Sequence, residues 1–317
     1  MNLLPDDLLL SEQLSTLQYY ANSRVEKIEI LAREHYVGSS TFPAEIVTCK
    51  LNDGKIISLF CKYLFGTEFE DFGHRGGVKY ESIIYNEVLK AIPLSIPKYY
   101  GYCIFPASTD GVLILENLQD SVRLFETLEP EVSLKDAACW IAKFHSQWEG
   151  RSFDCLKVYD ESFYRLWGDE VRRLSHKIEK EHPWIIHLCT FFIDNLDLLI
   201  SGPQTIIHGE YYPKNILIKN KIVYPIDWES AAMATGEIDL ASLIEGWDEP
   251  EARGAIEAYK ETRWGEIKKV PDKFERTLLL CQIYFYFRWF TEMTESWMMD
   301  EGNLTFLNQL AQKARGI

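Results

Sequence analysis

The stretch from His208 to Glu229, HGEYYPKNILIKNKIVYPIDWE, constrains this chain more than any other. Eighteen positions hold an acid (Glu210), an amide (Asn215) and a second acid (Asp227). Each lies at the edge of a short apolar run: Ile206-Ile207 before, Ile216-Leu217-Ile218 between, and Val223 to Ile226 leading into the last. Runs this short predict buried strands, with the polar residues displayed on the loops that join them. A carboxylate, an amide five positions on and a carboxylate after a hairpin suit phosphoryl transfer. One oxygen base orients an attacking hydroxyl, and two oxygen ligands hold Mg²⁺ against nucleotide phosphates.

Composition narrows the partners. The 317 residues suit one large or two modest domains, and 47% apolar content is ample for a core. A formal charge of −15 argues against nucleic acid, whose phosphates demand a basic surface. An acidic surface attracts cationic substrates such as amino sugars, although solubility alone explains most of such a charge. Seven cysteines are scattered in mostly apolar settings without a CxxC pair, which predicts reduced thiols instead of disulfides or zinc. The N-terminal region carries Asp6, Asp7 and Glu12, unlike a signal peptide. Leu278 to Phe290 is too short for a membrane span and includes Gln282 and Arg288. A soluble, cytoplasmic protein is expected.

Strand signals come first along the chain and helical ones later. After a helical stretch within residues 1–23, Val25–Ala32, Glu45–Leu51 and Lys55–Tyr63 read as strands, with Asn52-Asp53-Gly54 as a tight turn. A Gly-rich loop (Gly66–Gly77) precedes a helical pattern over Lys79–Ala91, and two more strands follow at Tyr99–Phe105 and Gly111–Leu115. From Ser133 the periodicity is helical, interrupted by 205–229. This order predicts an α+β chain of two lobes, 1–117 and 118–317, with the seam near Glu116 to Asp120. Lys62 is the one cation in the apolar strand LFCKYL and requires a partner or ligand, because uncompensated burial is costly.

The 208–229 segment resembles the catalytic loop and metal-binding strand of the aminoglycoside phosphotransferase and choline kinase group. Those protein-kinase-like enzymes carry H-G-D-x4-N followed by I-D-[FW]. The resemblance implies a two-lobed protein-kinase-like fold with a small strand-rich N-lobe and a larger, mostly helical C-lobe. It makes Glu210 the catalytic acid–base residue, His208 a brace for the loop, and Asn215 and Asp227 the Mg²⁺ ligands. Glutamate replaces the family's aspartate at 210, moving the carboxylate by roughly a bond length where little misplacement is tolerated. Lys62 becomes the clamp on the nucleotide phosphates, held by a glutamate on the next helix. Glu81, followed four positions on by Tyr85 as in the family, is preferred, and Glu87 is the alternative.

Gly38, Ser39 and Ser40 resemble the family's phosphate-covering loop, although a Gly-Ser-Ser turn between strands is common. Leu113–Leu118 resembles the inter-lobe hinge, with Glu116 and Leu118 offering backbone groups to a purine of ATP or GTP. His145 and Asp239 match positions expected to be structural, and Glu229 is expected either close to the metal site or paired with a nearby base, its role open. Acids and aromatics from Trp247 to Trp297 suit an amine-bearing acceptor, but YFYFRWF at helical spacing is more often core. The expectation is a small-molecule kinase transferring the ATP γ-phosphoryl group to a hydroxyl. A nucleotide-binding protein without turnover is the alternative.

Overall fold

A computed structural model describes residues 4–17, 28–38, 42–65, 74–106, 109–265, 269–292 and 301–316. Ser39, Ser40, Thr41, most of the Gly66–Gly77 loop, residues 25–27, Glu295 and Trp297 lie outside them. The chain divides into two compact units, Met1–Arg123 with Leu217–Ser230, and Leu124–Ile216 with Ala231–Ile317. A single cut at 117/118 makes no provision for the return of 217–230 to the first unit. That return follows from pairing: β6 (Val122–Arg123) and β9 (Ile216–Lys219) form an antiparallel ladder, Val122 opposite Ile218.

The first unit is built on a five-stranded antiparallel sheet of β1 (Glu29–His35), β2 (Ala44–Lys50), β3 (Ile56–Leu64), β4 (Tyr99–Ile104) and β5 (Gly111–Glu116). Its order is β1-β2-β3-β5-β4. The β2–β3 turn falls at the expected Asn-Asp-Gly. Gly54 sits at φ 82°, where a side chain would be strained, and its N–H donates to the Leu51 carbonyl at 2.9 Å. β1 runs on to His35, past the Ala32 end of the Val25–Ala32 reading.

Strand alternation assigns the two faces. Val47, Cys49, Leu59, Cys61, Tyr63, Val112 and Ile114 form a core with Leu10 and Leu14 of α1 (Asp7–Thr16). Lys62, between Cys61 and Tyr63, therefore points to the opposite face, where α2 (Gly77–Glu87) packs on β3, β4 and β5. A short sheet of β6, β9 and β10 (Ile222–Pro225) completes the unit. Asn220 and Lys221 both take positive φ, 51° and 63°, in the two-residue turn joining β9 to β10. That conformation matches the twist of a tight hairpin.

The second unit is mostly helical. α3 (Pro130–Trp148) packs on α8 (Glu249–Arg263), and α9 (Phe274–Glu292) packs on α4 (Glu161–Ser175) and α7 (Glu237–Leu243). α5 (Trp184–Asp194), α6 (Asp197–Ile200) and α10 (Glu301–Arg315) complete the helices among the described residues. A three-stranded sheet of β7 (Lys157–Val158), β11 (Ala232–Thr235) and β8 (Gln204–Ile207) carries the chain to His208. β11 runs antiparallel to β8, Ala232 opposite Ile207. The aromatic run of α9 is core, as its composition favoured: Phe285, Phe287 and Phe290 are buried. No helix among the described residues is long and apolar enough to cross a membrane, and none of the seven cysteines forms a disulfide.

Candidate functional site

In the first unit the buried Lys62 lies among three carboxylates. Its Nζ is 2.5 Å from Asp227 Oδ1, 2.8 Å from Glu81 Oε2 and 3.1 Å from Glu229 Oε2. Burial pulls the ammonium pKa down, but the carboxylates, Asp227 foremost, outweigh it and hold the pKa well above the ordinary value. Burial pushes Glu81 upward, with Lys62 opposing. Glu87, the other acid considered for the lysine, is exposed and accepts from Asn86 at 2.6 Å.

The backbone holds this cluster together. Glu81 Oε1 accepts the Trp228 N–H at 3.1 Å, and the Gly76 N–H, at the start of α2, donates to the Glu229 carbonyl at 2.7 Å. Arg75 Nε stands 3.8 Å from Glu229 Oε1. Asp227 sits at φ 69°, a conformation that non-glycine residues adopt at some cost and that often marks function. Its side chain is 35% exposed, against 1% and 2% for Glu81 and Glu229. Asp227 is therefore the carboxylate of this group that solvent and ligands can reach. Ligand atoms of Glu81, Asp227 and Glu229 fall within 4.8 Å of one another. Among the described residues Lys62 and Arg75 face these three carboxylates, and an all-oxygen donor set fits a hard divalent cation.

In the second unit the loop after β8 is fixed by Asp239 of α7. Its Oδ2 accepts the His208 N–H at 2.7 Å and its Oδ1 the Gly209 N–H at 2.9 Å. The buried His145 ring completes the brace, with Nε2 3.0 Å from Asp239 Oδ2 and Nδ1 2.9 Å from the Tyr259 hydroxyl. Gly209 takes φ 82°, a turn that glycine allows without strain and that sets Glu210 beside its own anchor. The Glu210 N–H donates to His208 Nδ1 at 3.3 Å. Asn215 Nδ2 donates to the Glu210 carbonyl at 3.0 Å, which leaves the amide oxygen as the group this buried side chain offers a ligand.

Arg288, on α9, is the contact that the sequence reasoning missed. Its Nη2 lies 2.6 Å from Glu210 Oε1. The signal was the one used for Lys62, a lone cation in an apolar run, YFYFRWF. Glu229, read from the sequence as lying close to the metal site or pairing with a nearby base, pairs with Lys62. Elsewhere, Gly38 is exposed in the turn after β1. Glu116 ends β5, its N–H donating to the Lys98 carbonyl at 2.8 Å, and the Leu118 carbonyl accepts from Ser121 Oγ at 2.7 Å.

Residues 127–269 match the model of the Phosphotransferase enzyme family. Among curated proteins, none matches the sequence. Solved structures align over nearly the whole chain at low identity, which shows shared fold. The GDP complex of wild-type aminoglycoside 2'-phosphotransferase-IIIa aligns with a TM-score of 0.58 and 13% identity, covering 98% of this chain and 99% of that one. Choline kinase LicA from Streptococcus pneumoniae gives 0.55 and 17%, covering 91% and 93%. Macrolide 2'-phosphotransferase type I gives 0.54 and 16%, covering 99% of each. The segment that carries Glu210, Asn215 and Asp227 thus lies inside a match to the phosphotransferase enzyme family, and the chain as a whole has the protein-kinase-like fold of small-molecule kinases.

Proposed function

We propose that this protein is a Mg²⁺-dependent small-molecule kinase, moving the γ-phosphoryl group of ATP, or alternatively GTP, to a hydroxyl of a small acceptor. The observation that carries the proposal is the buried Lys62, ion-paired with Glu81 on the helix and Asp227 after the hairpin. Such a lysine, held by a helical glutamate beside a metal-binding aspartate, is what clamping nucleotide phosphates requires. Lys62 and Glu81 would hold the phosphates, covered by the Gly38-Ser39-Ser40 segment, while Glu116 and Leu118 would offer backbone groups to the purine. Asn215 and Asp227 would supply oxygen ligands to the metal, which would neutralise phosphate charge. Glu210 would orient the acceptor hydroxyl and take its proton, with His208 shaping the loop.

An amino sugar or amino alcohol is the favoured acceptor class, because the net charge of −15 draws cations. Solved structures of this fold include a GDP and kanamycin complex and a choline kinase. A cytoplasmic setting accords with seven cysteines and no disulfide.

The test is ADP release from MgATP across aminoglycosides, amino alcohols and other hydroxyl metabolites, with mass analysis of the acceptor. The expected result is an acceptor heavier by one phosphoryl group, with turnover abolished by EDTA. MgATP binding with no phosphorylated product across the panel would support the second reading, a binding protein without turnover, for which the Glu210 substitution is the motive. Release of AMP or pyrophosphate would indicate a different transferase chemistry.

A further inference from the structure

We propose that Arg288 is a positioning residue that fixes the Glu210 carboxylate for reaction, making glutamate at 210 and arginine at 288 a matched pair. The inference rests on the phosphotransferase reading of Glu210. Arg288 is buried near the end of α9, and one guanidinium holds three points of the loop. Nη2 lies 2.6 Å from Glu210 Oε1 and 2.8 Å from the Tyr212 hydroxyl, and Nη1 donates to the Gly209 carbonyl at 3.1 Å. Nε stands 3.6 Å from Glu292 Oε1 on the same helix. Tyr212 is itself walled by Phe285 and Trp289 of α9, with ring centroids at 5.6 and 6.4 Å.

A glutamate has one more side-chain torsion than an aspartate, and productive geometry requires that freedom to be removed. The planar guanidinium fork does so, because its donors have fixed directions and it remains charged when buried beside carboxylate and phenol groups. With Oε1 committed to Nη2, the plane of the carboxylate is set, and the base is aimed by the helix as well as by the loop. An aspartate at 210 would withdraw its carboxylate from Arg288 by about 1.5 Å, the length of one carbon–carbon bond. The departure from the family's aspartate is thereby coupled to a cation that only the longer side chain reaches.

The full-length protein is assayed for ADP release from MgATP, with the acceptor found in the screen or with water as the slow acceptor. MgATP binding is measured separately by calorimetry. Arg288→Gln and Glu210→Asp are each expected to lower kcat by about 10²-fold, while MgATP affinity shifts less than about twofold. Arg288→Lys should recover part of the rate. Glu210→Gln combined with Arg288→Gln should be no slower than Glu210→Gln alone, since the arginine acts through the carboxylate. A wild-type kcat in Arg288→Gln, full additivity in the double variant, or Glu210→Asp at or above the wild-type rate would each overturn the pairing. Melting curves check folding, and if Arg288→Gln does not fold, Arg288→Lys and Glu210→Asp decide. A wild-type protein that binds MgATP but turns over nothing overturns the kinase reading itself. An active wild type indifferent to Arg288 overturns only this proposal.

Discussion

Glu81 joins Lys62 at 2.8 Å through one carboxylate oxygen, and its other oxygen accepts the amide of Trp228, next to Asp227. One side chain thus ties the strand lysine to the backbone that presents the reachable acid. Replacing Lys62 with methionine would leave Glu81 and Glu229 buried without their shared ammonium. Breaking a buried ion pair by removing one partner costs roughly 3–5 kcal/mol. Lys62→Met should therefore lower the urea midpoint clearly and abolish MgATP binding measured by calorimetry. An unchanged midpoint would show that the three acids do not depend on the lysine.

The two glutamates of α2 separate cleanly. Glu81→Gln keeps an oxygen for the Trp228 amide but loses the charge that holds Lys62, whereas Glu87 is exposed. Glu81→Gln should raise the KM for MgATP about tenfold, the size expected of one weakened charge-assisted hydrogen bond. Glu87→Gln should leave it unchanged. Equal effects from the two variants would remove Glu81 from its assigned role.

Much of the fold, and the meeting of Lys62 with Glu81 and Asp227 in the candidate site, were legible because their signals are local. A lone lysine in an apolar strand, an Asp-Gly turn and a His-Gly-acid loop each state a backbone or charge requirement within a few residues. Partners distant in sequence were harder to read. Arg288 lies 78 positions from Glu210 and is flanked by aromatics that read as core. β11 was missed because Ala232–Thr235 is a short, wholly buried strand without alternation. Pairing of β6 with β9, which returns 217–230 to the first unit, depends on a two-residue strand with no pattern of its own.

The cysteines should be chemically quiet in the native state. Cys49, Cys61, Cys103, Cys189 and Cys281 are buried, and burial raises their thiol pKa values, to about 12 for Cys49 and Cys189. Cys139 and Cys155 are only partly covered. Because the thiolate is the reactive form, a thiol reagent should modify at most these two in native protein and all seven in denaturant. Rapid native modification of Cys49 or Cys189 would contradict the packing of the first unit's sheet or of α5.

Stability should fall on mild acidification through His145. Burial lowers its pKa below the ordinary 6.5, with Asp239 opposing. Between the two values the unfolded chain binds a proton that the folded chain refuses. The contribution is thus intact above about 6.5 and is lost as pH drops toward the folded value. Urea unfolding at pH 7.5 and pH 5.5 should show a smaller difference in His145→Gln than in wild type. An equal difference in the two proteins would assign the acid sensitivity elsewhere.

Asp239 gives the sharpest test of how the loop is held. Its two oxygens accept the His208 and Gly209 amides at 2.7 and 2.9 Å, and one also meets the His145 ring. Asparagine has nearly the same shape but only one acceptor oxygen, so one buried N–H would face an amide NH₂ group. Leaving such a donor unsatisfied costs about 1–3 kcal/mol. Asp239→Asn should lose stability by that amount in urea unfolding. It should also lower kcat, because the turn at Gly209 sets the position of Glu210. MgATP affinity should fall less than kcat, since Lys62, Glu81 and Asp227 belong to the other unit and Asn215 is the one proposed ligand on the loop that Asp239 holds. A variant that loses nucleotide affinity while keeping kcat would show that Asp239 supports nucleotide binding and not the loop.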